Sequence, residues 1–250
     1  RKLSKKRILI MLKELIDLKK SGAVGIKLEF ESEFYSEKNA LELAELVHRV
    51  DLDLCIKLGG ASSIQDLRVC KRLYANSIVA PMIESAYAVE KFLTCIKQVY
   101  GKGYPELLIN IETKNAFKNL DEILNKCDKK ISGFVLGRSD LKNSLGIENP
   151  NDDEILKYCQ KLSEICQKNN KKLIIGGKID TKSIEFLNKI SNLNCIETRK
   201  VIFKKEALNE DNVKKALIFE LKCLEAKKTH YKEDLERIDF IAKSLSKNEQ

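Results

Sequence analysis

The 250-residue sequence contains no tryptophan, and aromatic residues make up only 6% of it. A large core must therefore be built mainly from Ile, Leu and Val, which suits the buried strands of a parallel sheet. No apolar run reaches the roughly 18 residues that a membrane-spanning helix needs, so we expect no membrane span. The chain also lacks any Pro-, Gly- or Ser-rich stretch that could link two domains. We therefore predict one domain over residues 1–250.

Histidine is also scarce, since His48 and His230 are the only two. Both lie in segments with helical periodicity, which argues against a zinc site and against a histidine general base. The eight cysteines form no C-x-x-C pair and no compact disulfide framework. This cysteine usage favours a reduced, cytoplasmic compartment. The basic N-terminal segment lacks the apolar region and cleavage site of a signal peptide.

Compact clusters of positive charge are missing as well, although the net charge is +9, from 46 basic and 37 acidic residues. The lysines are spread along helical segments among Glu and Asp. There is no arginine-rich block and no alternation of basic with aromatic residues. We interpret the charge as a lysine-rich surface and predict neither a nucleic-acid partner nor a membrane partner.

What the chain does contain is a regular alternation of apolar runs with helical segments. The seven runs are residues 23–28, 52–58, 77–83, 107–111, 131–136, 172–175 and 195–203. Strands that alternate with helices form parallel sheets. Seven such units, with one more strand near Arg1 or before it, would close an α/β (β/α)8 TIM barrel of parallel strands. An open doubly wound sheet is the alternative, although no dinucleotide-binding glycine fingerprint is present.

Charged or hydrogen-bonding residues end nearly every apolar run. They are Glu29, Glu31, Lys57, Glu84, Glu112, Arg138, Asp140, Lys178, Asp180, Glu197 and Arg199. In a barrel they would gather at the carboxyl-terminal mouth, where active sites of this fold lie. An apolar core has no use for charges, so we predict a functional mouth rather than a merely solvated rim.

Two of these carboxylates, Glu112 and Asp140, follow consecutive strands, and the ends of parallel neighbours lie side by side. We therefore predict that they meet at one hard divalent cation such as Mg²⁺. Two Gly-Gly turns, at residues 59–60 and 176–177, could present N–H groups to a phosphate or carboxylate. Tight turns without a ligand are the alternative.

Three segments resemble the HpcH/HpaI aldolase and citrate lyase beta-subunit family, within the phosphoenolpyruvate/pyruvate-binding barrels. They are IVAPMIESA at residues 78–86, NIETKNAFKNLDEI at 110–123 and GFVLGRSDLKNSLG at 133–146. The resemblance implies that Glu112 and Asp140 hold Mg²⁺ or Mn²⁺. It also implies a metal-dependent carbon–carbon lyase or aldolase that acts on a small 2-oxo acid through a metal-stabilised enolate.

The resemblance implies roles for other residues of the mouth. Asn110 stands where aldolases of the family commonly have Gln, and the backbone of Gly137 and Ser139 would neighbour the substrate carboxylate. Our candidate catalytic residues are Lys57, Glu31 and Arg138, and the further substrate-binding candidates are Glu29, Glu84 and Arg199.

The chain departs from the family in two places. Family aldolases usually carry Asp-x-Glu-His after an early strand, whereas this chain has Glu29-Phe30-Glu31-Ser32. Lys57 replaces an arginine that grips the substrate, and lysine offers a point charge instead of a bidentate fork. Arg138 and Arg199 are the predicted replacements for that grip. An acyl-CoA lyase resembling the citrate lyase beta subunit, or a non-catalytic binding or assembly subunit, are the alternative functions.

The predicted partner is a small anionic substrate, a 2-oxo acid with or without a phosphate or CoA group. The family often assembles as trimers or hexamers with exchanged C-terminal helices. Residues 205–250, which form a long helical extension, are compatible with this and would pack on the barrel or on a neighbouring subunit. We therefore also predict a homo-oligomer, a trimer or hexamer.

Overall fold

The computed structural model of the chain describes residues 5–31, 33, 37–127, 129–227 and 231–246. Eight strands close into a barrel in sequence order. They are β1 Ala23–Glu29, β2 Asp53–Lys57, β3 Ser77–Ala80, β4 Glu106–Asn110, β5 Gly133–Gly137, β6 Lys172–Gly176, β7 Cys195–Glu197 and β8 Val201–Lys204. The predicted TIM-barrel fold is confirmed, while the predicted helix at His230 lies outside the described residues.

Helices surround this barrel. They are α1 Lys5–Lys20, α2 Glu37–Arg49, α3 Ile64–Arg72, α4 Ala86–Tyr100, α5 Lys114–Lys118, α6 Leu120–Cys127, α7 Arg138–Leu145, α8 Asp153–Lys168, α9 Ser183–Asn188, α10 Glu210–Lys227 and α11 Lys232–Ser246. Side-chain caps begin several of them. Ser63, Ser85 and Thr113, for example, each accept a hydrogen bond from a backbone N–H of the following turn, which satisfies a donor that the helix leaves open.

The position predicted for the eighth strand, near Arg1 or before it, is wrong. β8 follows β7 in a hairpin and pairs antiparallel with both β7 and β1, whereas the other strand pairs are parallel. The hydroxyl of Thr198 closes this hairpin, because it accepts hydrogen bonds from the backbone N–H groups of Lys200 and Val201. The turn divides the single strand predicted at residues 195–203 into two.

An apolar layer fills the barrel interior below its carboxyl-terminal mouth. Its members are Cys55, Val79, Leu108, Val135, Ile174 and Ile202. Because side chains alternate along a strand, residues two positions further toward the mouth face the same interior. On four strands these residues are Lys57, Asn110, Gly137 and Gly176. A polar layer with two glycine gaps therefore begins directly above the apolar one.

The C-terminal helices pack on the barrel of the same chain. α10 contacts α1 and α11, and it buries Leu217 and Phe219 in the main core. α11 is fixed to α10 by a bidentate ion pair, in which Arg237 Nε and Nη2 lie 2.5 and 2.8 Å from the carboxylate oxygens of Glu220. None of the helices within the described residues is long and apolar enough to cross a membrane.

Candidate functional site

Glu112 lies two residues beyond β4, at the mouth, and is only 1% exposed. Its Oε2 accepts a hydrogen bond of 2.6 Å from Asn110 Nδ2, and its Oε1 accepts one of 3.3 Å from the backbone N–H of Met82. Gly137 on the neighbouring strand makes room for the carboxylate, since a Cβ there would lie 2.3 Å from Oε2. The side chain is therefore held in a narrow pocket.

The electrostatic surroundings of Glu112 are unfavourable for a negative charge. Burial raises the pKa of Glu112 to about 7, and the charge of Asp140 also raises it, while Lys57 and the hydrogen bond from Asn110 lower it. Asp140 is exposed in the first turn of α7. The two carboxylates thus lie at the same end of the barrel, close enough for their charges to interact.

The groups around Glu112 suit a hard divalent cation. Carboxylate and amide oxygens are the ligands that Mg²⁺ and Mn²⁺ prefer. Besides the two carboxylates, the mouth offers the Oδ1 atom of Asn110, which is buried and has no hydrogen-bond partner. No group of three or more His, Cys, Asp or Glu suited to a metal occurs in the described ranges. The metal role of Glu112 and Asp140 stays a prediction.

Lys57 supplies positive charge beside Glu112. Its Nζ lies 2.5 Å from Glu31 Oε2, and the lysine side chain is almost fully buried. Burial lowers the pKa of Lys57, but the charges of Glu112 and Glu29 outweigh it, so the pKa lies above its usual value. The structure thus brings the predicted residues Lys57, Glu29 and Glu31 together next to Glu112 with the ammonium group protonated.

A second buried pair lies inside the barrel, level with Cys55 and Ile202 of the apolar layer, and its lysine was not among the predicted residues. Lys27 Nζ is 2.5 Å from Glu197 Oε1, and both side chains are buried. Burial lowers the pKa of Lys27, but the charges of Glu197 and Glu29 outweigh it and raise the pKa. Lys27 is the one charge within the apolar run at residues 23–28, and this was the signal that could have identified it.

The structure contradicts the prediction of a catalytic Arg138. The side chain is fully buried, and its five N–H groups have acceptors in the backbone oxygens of Pro150, Gly176 and Gly177 and in the side chains of Asn151 and Ser183. Because a guanidinium has only five N–H groups, none remains for a substrate. Arg138 therefore ties the segment after α7 to the segment after β6.

Arg199 also has a different role from the predicted substrate grip. Its Nε lies 3.0 Å from Glu33 Oε1, and the neighbouring Lys200 forms an ion pair with Glu33 Oε2. The Arg199 guanidinium therefore has a charged partner within the chain, which it shares with Lys200. Glu33 fastens the hairpin between β7 and β8 to the segment that follows β1.

Glu84, predicted to bind substrate, instead faces the segment that follows Glu112. Its Oε1 accepts a hydrogen bond of 2.5 Å from the Thr113 hydroxyl, and its Oε2 accepts one of 3.3 Å from Asn115. Asn119 donates to the Glu84 backbone oxygen. Glu84 therefore holds the start of α5 and, through it, the position of Glu112.

The two Gly-Gly turns make close contacts within the chain. The backbone N–H of Gly59 donates to Asp66 Oδ2 at 2.7 Å. Gly177 has a φ of +87°, and a Cβ there would lie 2.6 Å from the backbone nitrogens of Arg138 and Ser139. These contacts favour the tight-turn interpretation. Ser139 is half-buried in the first turn of α7, and its predicted contact with substrate stays a prediction.

Solved structures with the same fold include an HpcH/HpaI aldolase from Desulfitobacterium hafniense, with 11% identity, coverage of 75% of this chain and 81% of that one, and a TM-score of 0.60. The citrate synthase SbnG has 16% identity, coverage of 76% and 81%, and a TM-score of 0.61. An HpcH/HpaI aldolase/citrate lyase family protein from Burkholderia cenocepacia J2315 has 12% identity, coverage of 91% and 90%, and a TM-score of 0.60. At these identities the likeness shows the fold alone.

A comparison with curated proteins finds no match. The family model described as HpcH/HpaI aldolase/citrate lyase matches residues 39–183. That match covers more than half of the chain and contains β2 to β6, together with Glu112 and Asp140. The resemblance drawn from the three sequence segments is confirmed, and the chain belongs to the HpcH/HpaI aldolase/citrate lyase family.

Proposed function

We propose that this protein is a divalent-metal-dependent carbon–carbon lyase that acts on a small 2-oxo acid. The observation that carries the proposal is the environment of Glu112. This carboxyl is buried, its pKa is raised to about 7, and it lies near Asp140 and beside the unsatisfied amide oxygen of Asn110. A bound cation would compensate all three groups, and the family of the chain is of the aldolase/citrate lyase type.

Glu112, Asp140 and Asn110 would hold the cation, which when bound supplies Lewis-acid chemistry at the carbonyl of the 2-oxo acid and its enolate. The ammonium group of Lys57 attracts and orients the anionic substrate. Glu31, paired with Lys57 at 2.5 Å, is the carboxylate that we assign to accept or return a proton. The apolar layer below the mouth keeps water away from the inner side of the substrate.

The test measures enolate formation directly, as deuterium incorporation into the methyl group of pyruvate in D₂O with Mg²⁺ or Mn²⁺. The same assay with 2-oxobutyrate covers a slightly larger substrate. We expect Glu112→Gln to lower the exchange rate at least 100-fold. Glu106→Gln is the matched control, because Glu106 begins the same strand at the opposite end of the barrel, and it should stay within about threefold of the parent.

Calorimetric titration with Mn²⁺ tests the ligand assignment separately. We expect the parent to bind the cation and Glu112→Gln to lose most of that affinity. A Glu112→Gln variant that binds Mn²⁺ as tightly as the parent would refute the ligand role. A parent protein that neither binds Mn²⁺ nor exchanges any 2-oxo acid would refute the proposed function.

A non-catalytic binding subunit is the second candidate function, and the pairing of the cations at and below the mouth favours it. Lys27, Lys57, Arg199 and Lys200 each form an ion pair with a carboxylate of the chain. Much of the positive charge is therefore neutralised before an anionic substrate arrives. This candidate predicts Mn²⁺ binding without exchange of any 2-oxo acid. The acyl-CoA lyase alternative predicts that free CoA competes with substrate.

A further inference from the structure

A cavity of about 740 Å³ lies beside the mouth, between the segment after β1, the helices α2 and α3, and the start of α11. Six carboxylates line it: Glu31, Glu33, Glu37, Asp66, Glu233 and Asp234. No lysine or arginine lines it within the part of the chain that the structure describes. The whole protein carries a net charge of +9, so general composition does not account for this concentration of negative charge.

Part of this charge is neutralised from outside the cavity. Glu31, Glu33 and Glu37 form ion pairs with basic residues that do not line it. Asp66 accepts the hydrogen bond from the Gly59 N–H. Glu233 and Asp234, in the first turn of α11, are the carboxylates that remain to be compensated.

Asp234 is the residue of this cavity that most clearly calls for a cationic ligand. It is only 5% exposed, and it borders the cavity. Within the described ranges it forms no hydrogen bond and no ion pair, although its charge acts on Arg199 and contributes to the raised pKa of that residue. A buried carboxylate without a direct partner is costly. A cationic group in the cavity would supply the missing partner.

The walls indicate what kind of cation fits. Phe30, Val69 and Tyr231 give the cavity apolar and aromatic surface between its carboxylates. Asp66 on α3 and Glu233 and Asp234 on α11 contribute three of its six carboxylates. A metal ion would need a compact set of ligands, and no group of three metal-ligating residues is found among the described residues. Methylene groups suit the apolar side chains of the lining, and ammonium groups suit its carboxylates.

We propose that this cavity is a binding site for an aliphatic di- or polyamine, with Asp234 as the main partner of one ammonium group. The site is distinct from the residues assigned to the metal, and it does not depend on the lyase activity. Glu31 borders the cavity and also pairs with Lys57 of the mouth, so the two sites share one side chain.

The test is calorimetric titration of the full chain with 1,4-diaminobutane and with spermidine, at low ionic strength and with a metal chelator present. We expect saturable binding that weakens as salt is added. Asp234→Asn should raise the Kd at least tenfold. Asp153→Asn is the matched control, because Asp153 is an exposed aspartate in the first turn of α8, and it should bind like the parent.

Glu233→Gln provides a second variant if Asp234→Asn unfolds. Circular dichroism checks that both variants keep the fold of the parent. Because Glu233 is exposed, the Glu233→Gln substitution should leave the fold intact. It should raise the Kd for the amines about threefold or more. Glu112→Gln should bind the amines like the parent, which separates this site from the proposed metal site. The proposal is overturned if neither amine binds the parent, if both cavity variants bind like the parent, or if 1,4-butanediol binds as well as the diamine.

Discussion

At the scale of single residues, the mouth of this barrel holds a carboxylate in surroundings that disfavour its negative charge. Glu112 is buried next to a second negative charge. Because Gly137 has no side chain, the carboxylate of Glu112 can occupy the space where a Cβ would otherwise lie. Such an arrangement stores free energy that a bound cation can release.

The first prediction concerns pH and the free energy of unfolding. Because the pKa of Glu112 is about 7 in the folded protein and near 4.5 for a free carboxyl, the folded state binds more protons between these pH values. The metal-free protein should therefore lose stability as pH rises from about 4.5 to about 7, by roughly 3 kcal/mol at most. Glu112→Gln should remove this fall, as measured by urea unfolding with a chelator at pH 5 and pH 8.

The control for this measurement is Glu122→Gln, which changes an exposed glutamate on α6 and should keep the parental pH dependence. Equal pH dependence in the Glu112→Gln variant and the parent would show that the buried carboxyl does not titrate in this range. Saturating Mn²⁺ should also flatten the parental curve if Glu112 is a metal ligand, because the cation binds the ionised form.

The second prediction concerns the space at Gly137. In Gly137→Ala the new Cβ would lie 2.3 Å from Glu112 Oε2, so the carboxylate must move. We expect deuterium exchange into pyruvate to fall about 100-fold, because a displacement of about 1 Å at a reacting centre costs that much. Gly146→Ala is a poor match because of its positive φ, so Gly60→Ala, where no atom lies within 4 Å, is the control. A fully active Gly137→Ala variant would contradict the proposed site.

At the scale of elements, the hairpin of β7 and β8 organises one side of the mouth. Its turn carries Arg199 and Lys200, and both pair with Glu33 on the segment after β1. Lys200 and Glu33 have fully buried side chains. The antiparallel β8 thus closes the barrel in register and also brings two cations to a carboxylate more than 160 positions away.

The third prediction compares two glutamates of that region. Glu33→Gln removes a buried carboxylate that Lys200 and Arg199 share, so we expect the free energy of unfolding to fall by about 3–5 kcal/mol. Glu37→Gln breaks the exposed pair with Arg72 and should cost no more than about 1 kcal/mol. Urea unfolding of both variants at pH 7 measures the difference. Equal destabilisation of the two variants would show that the ion pairs of Glu33 do not hold the hairpin to the segment after β1.

At the scale of the whole molecule, one continuous core joins the barrel to all its helices, including α10 and α11. Some large apolar side chains remain exposed on the single chain. Leu9 and Ile10 on α1 and Leu41 on α2 are 57%, 44% and 54% exposed, and the two helices pack against each other. Large uncovered apolar side chains on neighbouring helices are typical of a protein interface.

The fourth prediction is therefore that the protein is a trimer or hexamer whose interface includes α1 and α2. The double variant Leu9→Lys/Leu41→Lys should lower the molar mass in solution, as measured by light scattering after gel filtration, because two charges would be buried at the interface. Tyr87→Lys, which changes an exposed residue on α4, should leave the mass unchanged. A monomeric parent protein would contradict the predicted oligomer.

The amino-acid sequence alone determined the barrel and the placing of Glu112 and Asp140 at the same end of it. Both depend on local periodicity: apolar runs mark strands, and parallel strands necessarily bring their carboxyl ends to the same rim. The family motifs lie in this same periodic part, at residues 78–146, which explains why the resemblance could be recognised from sequence.

Only the tertiary structure decided where the long side chains point and which distant groups become partners. Arg138 and Glu84 follow strands as active-site residues do, yet their rotamers direct them to neighbouring loops. The pair of Lys27 with Glu197, 170 positions apart, and the acidic cavity at Asp234 arise from packing between remote segments. β8 runs antiparallel to β7, and the Thr198 hydroxyl accepts two backbone hydrogen bonds in the turn between these strands. These outcomes depend on three-dimensional contacts, and hydrophobic periodicity carries no information about them.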